Sequence, residues 1–200
     1  FGSVVQIINH ITLLSIILTG AALIREREHG TIEHLLVMPL GPAEIMLAKI
    51  WANGLVVVIA ASLSLRLIVQ GVLQVPIAGS APLFTVGVLI YLFSVTSLGI
   101  FLATLARSMP QFALLAMPVF IVMNLLSGSN TPFDSMPLAV QHIMLFSPST
   151  HFVRVAQAIL YRGAGIDVVW KELAITAAIG VVLFSAALLR FRKTVSEIQG

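Results

Sequence analysis

The sequence predicts an all-α, polytopic membrane protein with about five transmembrane helices and short amphipathic helices at the membrane interface. Of its 200 residues, 58% are hydrophobic and only 10% are charged, and the mean hydropathy is +1.05. An average globular chain carries about 25% charged residues. A domain of this size cannot hide so much apolar surface in its core, so the excess must face lipid. The apolar runs are continuous rather than alternating, which favours helices over a β-barrel.

Stretches without a formal charge locate the transmembrane helices, each of which needs about 20 mostly apolar residues. These stretches are Val4–Ile24, Leu67–Ala106, Ser108–Phe133 and Leu173–Leu189. The predicted spans follow these stretches only in part, because Leu67–Ala106 is divided between two spans and the second span also contains Lys49 and Arg66. In chain order they are Val4–Ile24, Glu44–Leu73, Pro82–Ala106, Pro110–Leu126 and Val168–Leu189.

The basic residues are distributed unequally, and this predicts the orientation in the membrane. Seven of them flank the spans on one side (Arg25, Arg27, Lys49, Arg107, Arg190, Arg192 and Lys193) and three on the other (Arg154, Arg162 and Lys171). By the positive-inside rule the first side is cytoplasmic, so the C-terminus is cytoplasmic and the N-terminus outside. We therefore predict a multi-pass protein of the bacterial inner membrane, with a further span upstream because no signal peptide is visible. The basic residues at span ends also explain the high isoelectric point, so no nucleic-acid partner is predicted.

Two connections are long enough to hold structure of their own. The cytoplasmic segment Arg25–Ala43 contains apolar residues at helical spacing and then Pro39, which predicts a short helix that ends there. The outer segment Ser127–Asp167 contains two candidate amphipathic helices, Leu138–Phe146 and Thr150–Tyr161. Such helices lie in the interface or enter the membrane part-way, rather than crossing it.

The cytoplasmic segment carries the most informative motif. It reads Glu26-Arg27-Glu28-His29-Gly30-Thr31-Ile32-Glu33-His34-Leu35-Leu36, followed by Pro39, Glu44 and Lys49. This run closely resembles the signature of ABC-2 type transporter permeases, in particular the bacterial drug-efflux-like branch. The outer segment resembles the same family through Met136-Pro137 and Pro148-Ser149-Thr150-His151-Phe152, and so does the basic C-terminal tail.

The resemblance implies a permease that pairs with a second permease subunit, as a homo- or heterodimer, and binds two cytoplasmic ABC ATPase subunits. In the family, the segment matching residues 25–43 lies against the ATPase and transmits its motion. The implied coupling residues are Glu26, Glu28, Gly30, Thr31, Glu33, Leu35, Leu36 and Pro39. Composition alone allows another interpretation, a solvated loop whose charges only set the topology.

The family resemblance also implies a domain organisation. Residues 1–200 correspond to the permease transmembrane domain, with residues 127–167 as a periplasmic interfacial or re-entrant segment. Family members normally have six spans, and often a large periplasmic domain before this region. We therefore expect the sequence to be the C-terminal part of a longer permease.

No catalytic or ATP-binding motif is present in the sequence. It lacks the G-x-x-x-x-G-K-[ST] phosphate loop, so ATP and Mg are expected on a partner ATPase and no cofactor is predicted in this chain. The protease motifs H-E-x-x-H and G-x-S-x-G are also absent. His29 and Glu33 have metal-compatible spacing, but charge pairing on an exposed helix is commoner, so no metal site is predicted. His142 and His151 are interpreted as interfacial, and the chain as a transport subunit rather than an enzyme.

Polar residues within the apolar spans are the candidates for a substrate path. Asn9, Thr12 and Thr19 lie near one side of the first span, where they either form interhelical hydrogen bonds or line a polar path. Arg66 places a charge inside the second span. Its side chain either extends to the outer interface or lines the path, with Asp134 as a candidate partner.

Together these features predict the permease subunit of an ATP-driven ABC-2 exporter. The mostly apolar spans favour an amphipathic substrate, drug-like or lipid-linked, moved out of the cytoplasm. The alternative is a secondary transporter or a membrane scaffold that is not coupled to ATP. The scattered glycines and prolines show no paired, broken helices, which tells against a secondary transporter.

Overall fold

Five long apolar helices and two shorter ones form a helical bundle in the computed structural model. The structure describes residues 2–29, 41–64, 67, 78–128 and 131–199, without the side chains of residue 3 and residues 194–199. Its helices are α1 (Gly2–Glu28), α2 (Pro42–Ser64), α3 (Ala81–Leu105), α4 (Met109–Leu126), α5 (Leu138–Met144), α6 (Pro148–Arg162) and α7 (Ile166–Gln199), with a 3-10 turn at Phe133–Ser135. Helices α1 to α4 and α7 are long and apolar enough to cross a membrane. The all-α polytopic fold and the five predicted spans are thereby confirmed.

The helix ends differ from the predicted span ends where the chain becomes polar. Helix α1 continues past the predicted end, Ile24, to Glu28, and α7 continues past Leu189 to Gln199. Arg, Glu, Lys and Gln are good helix formers, so the helix does not stop where the apolar run stops. The predicted end of the second span, Leu73, lies outside the described residues.

Local sequence signals explain where several helices begin and end. The backbone N–H of Gly41 donates to the Glu44 carboxylate at 2.7 Å, just where α2 begins. The Ser80 hydroxyl accepts a hydrogen bond from the Leu83 N–H at 3.4 Å at the start of α3. Helix α6 begins at Pro148 and ends at Gly163, whose φ of +64° favours glycine.

Helix α3 is the centre of the bundle, packing against α1, α2, α4, α6 and α7. Small residues allow the closest of these contacts. A Cβ atom at Gly99 on α3 would lie 2.9 Å from the carbonyl oxygen of Ile16 on α1. A Cβ atom at Gly180 on α7 would lie 2.6 Å from the Ser94 hydroxyl on α3. The helix backbones can therefore approach closely at these crossings, as is typical of membrane bundles.

The second outer helix was predicted to be amphipathic, and its apolar residues form a stripe that faces protein. Its residues are each at most 1% exposed: Phe152, Val155, Ala156, Ile159 and Leu160. Helix α6 packs this face against α3 and α7. The observed helices α5 and α6 differ from the predicted ranges by one or two residues at their ends.

Candidate functional site

Three consecutive side chains at the end of α1 contact α2, α4 and the residue that directly follows α3. The Glu26 carboxylate forms an ion pair with the ammonium group of Lys49 on α2. The Arg27 guanidinium donates to the carbonyl oxygen of Ala106, just after α3, at 2.8 Å. The Glu28 carboxylate accepts a hydrogen bond from the Met109 N–H at 3.0 Å. We call these three contacts the α1 clamp.

The charges of the α1 clamp suit the helix ends that they contact. The last carbonyl groups of a helix and its first N–H groups have no partner within the helix. Arg27 therefore places a positive charge at the carbonyl end of α3, and Glu28 a negative charge at the N–H end of α4. Both arrangements are favoured by the helix dipole. The clamp thus fastens the end of α1 to α2, α3 and α4 together.

The structure describes only part of the predicted coupling set. Glu26 and Glu28 lie in the α1 clamp, where each carboxylate has a partner inside this chain. The other members lie outside the described residues: Gly30, Thr31, Glu33, Leu35, Leu36 and Pro39. His29 is an exposed turn residue directly after α1. Among the described residues, no group of three His, Asp or Glu side chains is placed to hold a metal ion.

The polar residues predicted for a substrate path have different environments. Thr12 is 3% exposed and its hydroxyl lies 2.5 Å from the Tyr91 hydroxyl on α3. Thr19 is fully buried, and its hydroxyl has no hydrogen-bond partner among the described residues. Asn9 is partly exposed, and Arg66 lies outside the described residues. Thr12 thus makes an interhelical hydrogen bond, one of the two roles considered for it, while a path role for these residues stays a prediction.

The Thr12 contact belongs to a chain of buried hydroxyl groups that joins α1, α3 and α6. Thr12 also donates to the Ile8 carbonyl oxygen at 2.7 Å, which uses its single hydroxyl proton. Its oxygen must then accept the Tyr91 proton, and Tyr91 in turn accepts from Ser149 at 2.9 Å. The Tyr91 ring stacks on Phe152 with the ring centroids 4.3 Å apart. We call this arrangement the Tyr91 hydroxyl chain.

His151 was interpreted as interfacial, and that interpretation is wrong. The residue is 2% exposed. Its Nδ1 lies 2.5 Å from the Glu172 carboxylate on α7, and its Nε2 lies 2.7 Å from the carbonyl oxygen of Leu145. Helix α6 turns this residue inward, towards α7 rather than the membrane surface. His142, by contrast, is exposed, as expected for an interfacial residue.

A cavity of about 630 Å³ opens at the α5/α6 end of the bundle, within the range typical of small-molecule sites. Its charged lining residues are Asp134, Arg154, Arg162 and Glu172. The Arg154 guanidinium lies over the Phe133 ring, 4.6 Å from its centroid, and pairs with Glu172 at 3.5 Å. Asp134 is exposed, and its predicted pairing with Arg66 lies outside the described residues.

A second cavity of about 370 Å³ lies nearby and is lined almost entirely by apolar side chains. They come from α3, α4, α5 and α7, and include Leu98, Val119, Met123, Met144 and Leu183. Ser147 and Pro148, at the start of α6, complete its wall. The apolar cavity therefore lies beside α5 and the start of α6 and reaches residues in the middle of α3, α4 and α7.

Sequence reasoning missed Tyr91 and Glu172, which hold α6 to the rest of the bundle. A signal existed for each of them. Tyr91 is a lone phenol within an apolar span, and buried phenols usually need a hydrogen-bond partner. Glu172 is a carboxylate directly before the apolar run of α7, where a charge needs a partner or water.

Comparison with known proteins gives one family match and several relatives. A family model described as "ABC-2 type transporter" matches residues 4–161. The inner membrane transport permease YhhJ of Escherichia coli strain K12 is 61% identical over 198 residues, which cover 99% of this chain and 53% of that protein. The probable multidrug ABC transporter permease YbhR of the same strain is 32% identical over 185 residues, or 92% of this chain and 50% of that protein. The chain therefore spans about half the length of the curated relatives it matches.

Proposed function

The chain belongs to the ABC-2 type transporter family, and we propose that it forms the membrane-spanning part of the permease subunit of an ATP-driven exporter. ATP and Mg bind to a partner ABC ATPase. The permease pairs with a second permease subunit, either a copy of itself or a related chain. It has no catalytic role of its own and changes conformation as the ATPases close on ATP.

The observation that carries this proposal is the α1 clamp. The segment of residues 30–40 follows directly from α1 and leads into α2, so a force on it reaches both helices through the chain. The contacts of Glu26, Arg27 and Glu28 extend that connection to α3 and α4. A push from an ATPase at this end would therefore move four spans together. This supports residues 25–43 as the coupling segment.

The proposed orientation places the α1 clamp and the C-terminus in the cytoplasm of a bacterium, with the chain crossing the inner membrane. The excess of basic residues at the clamp end supports this orientation. The name of the relative YhhJ, an inner membrane transport permease, supports the location in the inner membrane. The charged cavity at the α5/α6 end then faces the periplasmic side, where an exported substrate leaves.

The proposed substrate is amphipathic, either drug-like or lipid-linked. Two relatives are named as probable multidrug transporter permeases. The apolar cavity beside α5 suits a hydrocarbon portion, and the charged cavity beside α6 suits a polar head. Arg154 and Glu172 offer both signs of charge there, so neither cationic nor anionic heads are favoured by the lining alone.

The test is reconstitution of the full-length permease with its partner ATPase in nanodiscs. Glu33→Arg changes the segment proposed to contact the ATPase, and we expect it to reduce co-purification of the ATPase. Glu26→Gln breaks one contact of the α1 clamp, and we expect the ATPase to co-purify normally while ATP-driven transport of an amphipathic dye falls. The two variants thus separate docking from transmission of the motion.

Glu44→Gln is the matched control, because Glu44 is an exposed carboxylate at the same end and, among the described residues, its carboxylate accepts from the Gly41 N–H at the start of its own helix. We expect it to leave both docking and transport near the wild-type level. An ATPase that fails to co-purify with the wild-type permease would contradict the proposal. Dye transport that proceeds without ATP would favour the secondary transporter instead.

A further inference from the structure

Both ring nitrogens of His151 face oxygen atoms in a buried position. Nδ1 lies 2.5 Å from Oε2 of Glu172, and Nε2 lies 2.7 Å from the carbonyl oxygen of Leu145. The side chain of His151 is 3% exposed. A backbone carbonyl and an ionised carboxylate are acceptors only. Each of the two contacts therefore needs its own proton.

A neutral imidazole carries one N–H proton, which is one too few for this geometry. The second proton can belong to the imidazole, giving a histidinium beside a carboxylate, or to the carboxyl group of Glu172. Both distributions contain the same number of protons. Arg154 lies 3.5 Å from the other carboxylate oxygen of Glu172. Whichever group carries the second proton, the two contacts of His151 hold one proton more than a neutral imidazole beside an ionised carboxylate.

We propose that His151 and Glu172 form a binding site for one proton, and that this proton fastens α6 and the preceding turn to α7. When the proton is bound, His151 donates to Glu172 on α7 and to Leu145 in the turn between α5 and α6. When the proton leaves, the imidazole keeps one N–H, so one of these two contacts changes from a hydrogen bond to a repulsion between lone pairs. The attachment is therefore present at acidic pH and weakens as the pH rises.

The other titratable groups of the surrounding helices are placed differently. On α3, Tyr91 bonds to Thr12 and Ser149, not to the imidazole. Asp134, in the 3-10 turn, lines the cavity that also contains Arg154 and Glu172.

Several other titratable groups of the described helices are exposed. They include His10 on α1 and His142 on α5, while α4 has no titratable residue in its sequence. At the far end of α6, Tyr161 and Arg162 are exposed, and on α7 Asp167 and Lys171 are exposed as well. Among the described residues, the titratable side chains in contact at the site are thus His151, Arg154 and Glu172.

The consequence for transport rests on the proposed function. In the proposed orientation this site faces the periplasmic side, so a low periplasmic pH would keep α6 and the preceding turn attached to α7. The fastening itself depends on neither ATP nor orientation. A test that measures only the fastening therefore distinguishes the failure of this inference from the failure of the proposed function.

The test uses thiol accessibility at the start of α6. This chain has no cysteine, and any cysteine elsewhere in the full-length permease is first replaced by serine. Ser147→Cys places a thiol at a buried position, 9% exposed, directly before α6. Ser135→Cys places one at an exposed position in the 3-10 turn. The measured quantity is the rate of maleimide labelling at Ser147→Cys divided by the rate at Ser135→Cys. This ratio reports how readily the start of α6 becomes accessible, because the intrinsic pH dependence of the thiol affects both rates.

We expect this ratio to rise about tenfold in the nanodisc-embedded permease between about pH 5.5 and about pH 8.5, because loss of the proton removes one of the two hydrogen bonds of His151. In a His151→Gln background the ratio should be high at both pH values, because a glutamine side chain cannot carry the proton. In a Glu172→Gln background it should be low at both. The glutamine amide can donate to Nδ1 while a neutral imidazole donates to Leu145.

The opposite behaviour of the two variants separates a proton site from a merely structural contact. A wild-type ratio that does not change with pH overturns the proposal. So does a Glu172→Gln ratio that is high at both pH values, since this is the result of simply losing a structural ion pair. The Glu172→Gln arm keeps the test decisive even where His151→Gln fails to fold.

Discussion

Replacing Tyr91 by phenylalanine removes one oxygen atom from the centre of the bundle and leaves the ring in place. Tyr91 is fully buried, and its hydroxyl lies 2.5 Å from that of Thr12 and 2.9 Å from that of Ser149. The stacking of the ring on Phe152, at 4.3 Å between centroids, needs no hydroxyl. The substitution therefore tests the hydrogen bonds of the Tyr91 hydroxyl chain with little change in packing.

The two broken hydrogen bonds should cost different amounts of free energy. Thr12 keeps its bond to the Ile8 carbonyl, so losing its bond to Tyr91 should cost about 0.6 kcal/mol, as is typical between membrane helices. Ser149 is 3% exposed, and its hydroxyl loses its acceptor in a place that water does not reach. Leaving a buried donor unpaired costs about 1.5 kcal/mol. We therefore expect Tyr91→Phe to lower the free energy of unfolding by about 2 kcal/mol.

The assay is reversible unfolding of the full-length permease in mixed micelles with increasing sodium dodecyl sulfate, followed by tryptophan fluorescence. Ser149→Ala removes the unpaired donor, so the double variant should be more stable than the sum of the two single effects predicts, by about 1 kcal/mol.

Tyr161→Phe is the control. Partial burial raises the pKa of the Tyr161 phenol, so the phenol is neutral and its replacement by phenylalanine changes no charge. Because Tyr161 is 37% exposed, water can replace any hydrogen-bond partner that the hydroxyl loses. Equal unfolding free energies for the two Tyr→Phe variants, or additive effects of Tyr91→Phe and Ser149→Ala, would refute the reasoning.

Further predictions concern the α1 clamp and the crossing of α1 with α3. Glu26→Lys and Lys49→Glu should each lower the free energy of unfolding by about 1–2 kcal/mol, because each places like charges together in a partly buried site. The double charge swap should recover most of the loss and restore ATP-driven transport, and a swap no better than either single variant would contradict the ion pair. Gly99→Ala should cost about 1–3 kcal/mol in the same unfolding assay, because its Cβ would lie 2.9 Å from the Ile16 carbonyl oxygen. Gly54→Ala, with no atom within 4 Å of its Cβ, should instead stabilise α2 by about 1 kcal/mol, and equal effects of the two glycine variants would contradict the close crossing.

The spans could be predicted from the sequence because a bilayer accepts few alternatives to long apolar helices. Helix ends were harder to place, as in α7, because good helix formers continue beyond the apolar run. The start of α2 at Pro42 lies within two residues of the predicted span start, Glu44, and the hydrogen bond there joins residues only three apart, Gly41 and Glu44.

The partners of the buried polar groups could not be predicted in the same way. Tyr91 meets Thr12 across 79 residues of sequence and Ser149 across 58, and no local pattern encodes such distances. Glu26 shows the same limit. Its charge was visible in the motif, whereas its pairing with Lys49 depends on how the ends of α1 and α2 come together.

Helix α7 is longer than the membrane that it crosses. Its 34 residues correspond to about 51 Å of helix, against about 30 Å of hydrocarbon thickness. About 20 Å of continuous helix therefore extends beyond the hydrocarbon core as a stiff rod, and a tilt of about 5° inside the membrane would displace the tip of a rod of this length by about 2 Å. The length of the helix thus converts a small tilt within the bilayer into a larger displacement of its tip. A spectroscopic label attached near the tip, in the aqueous phase, would report this displacement.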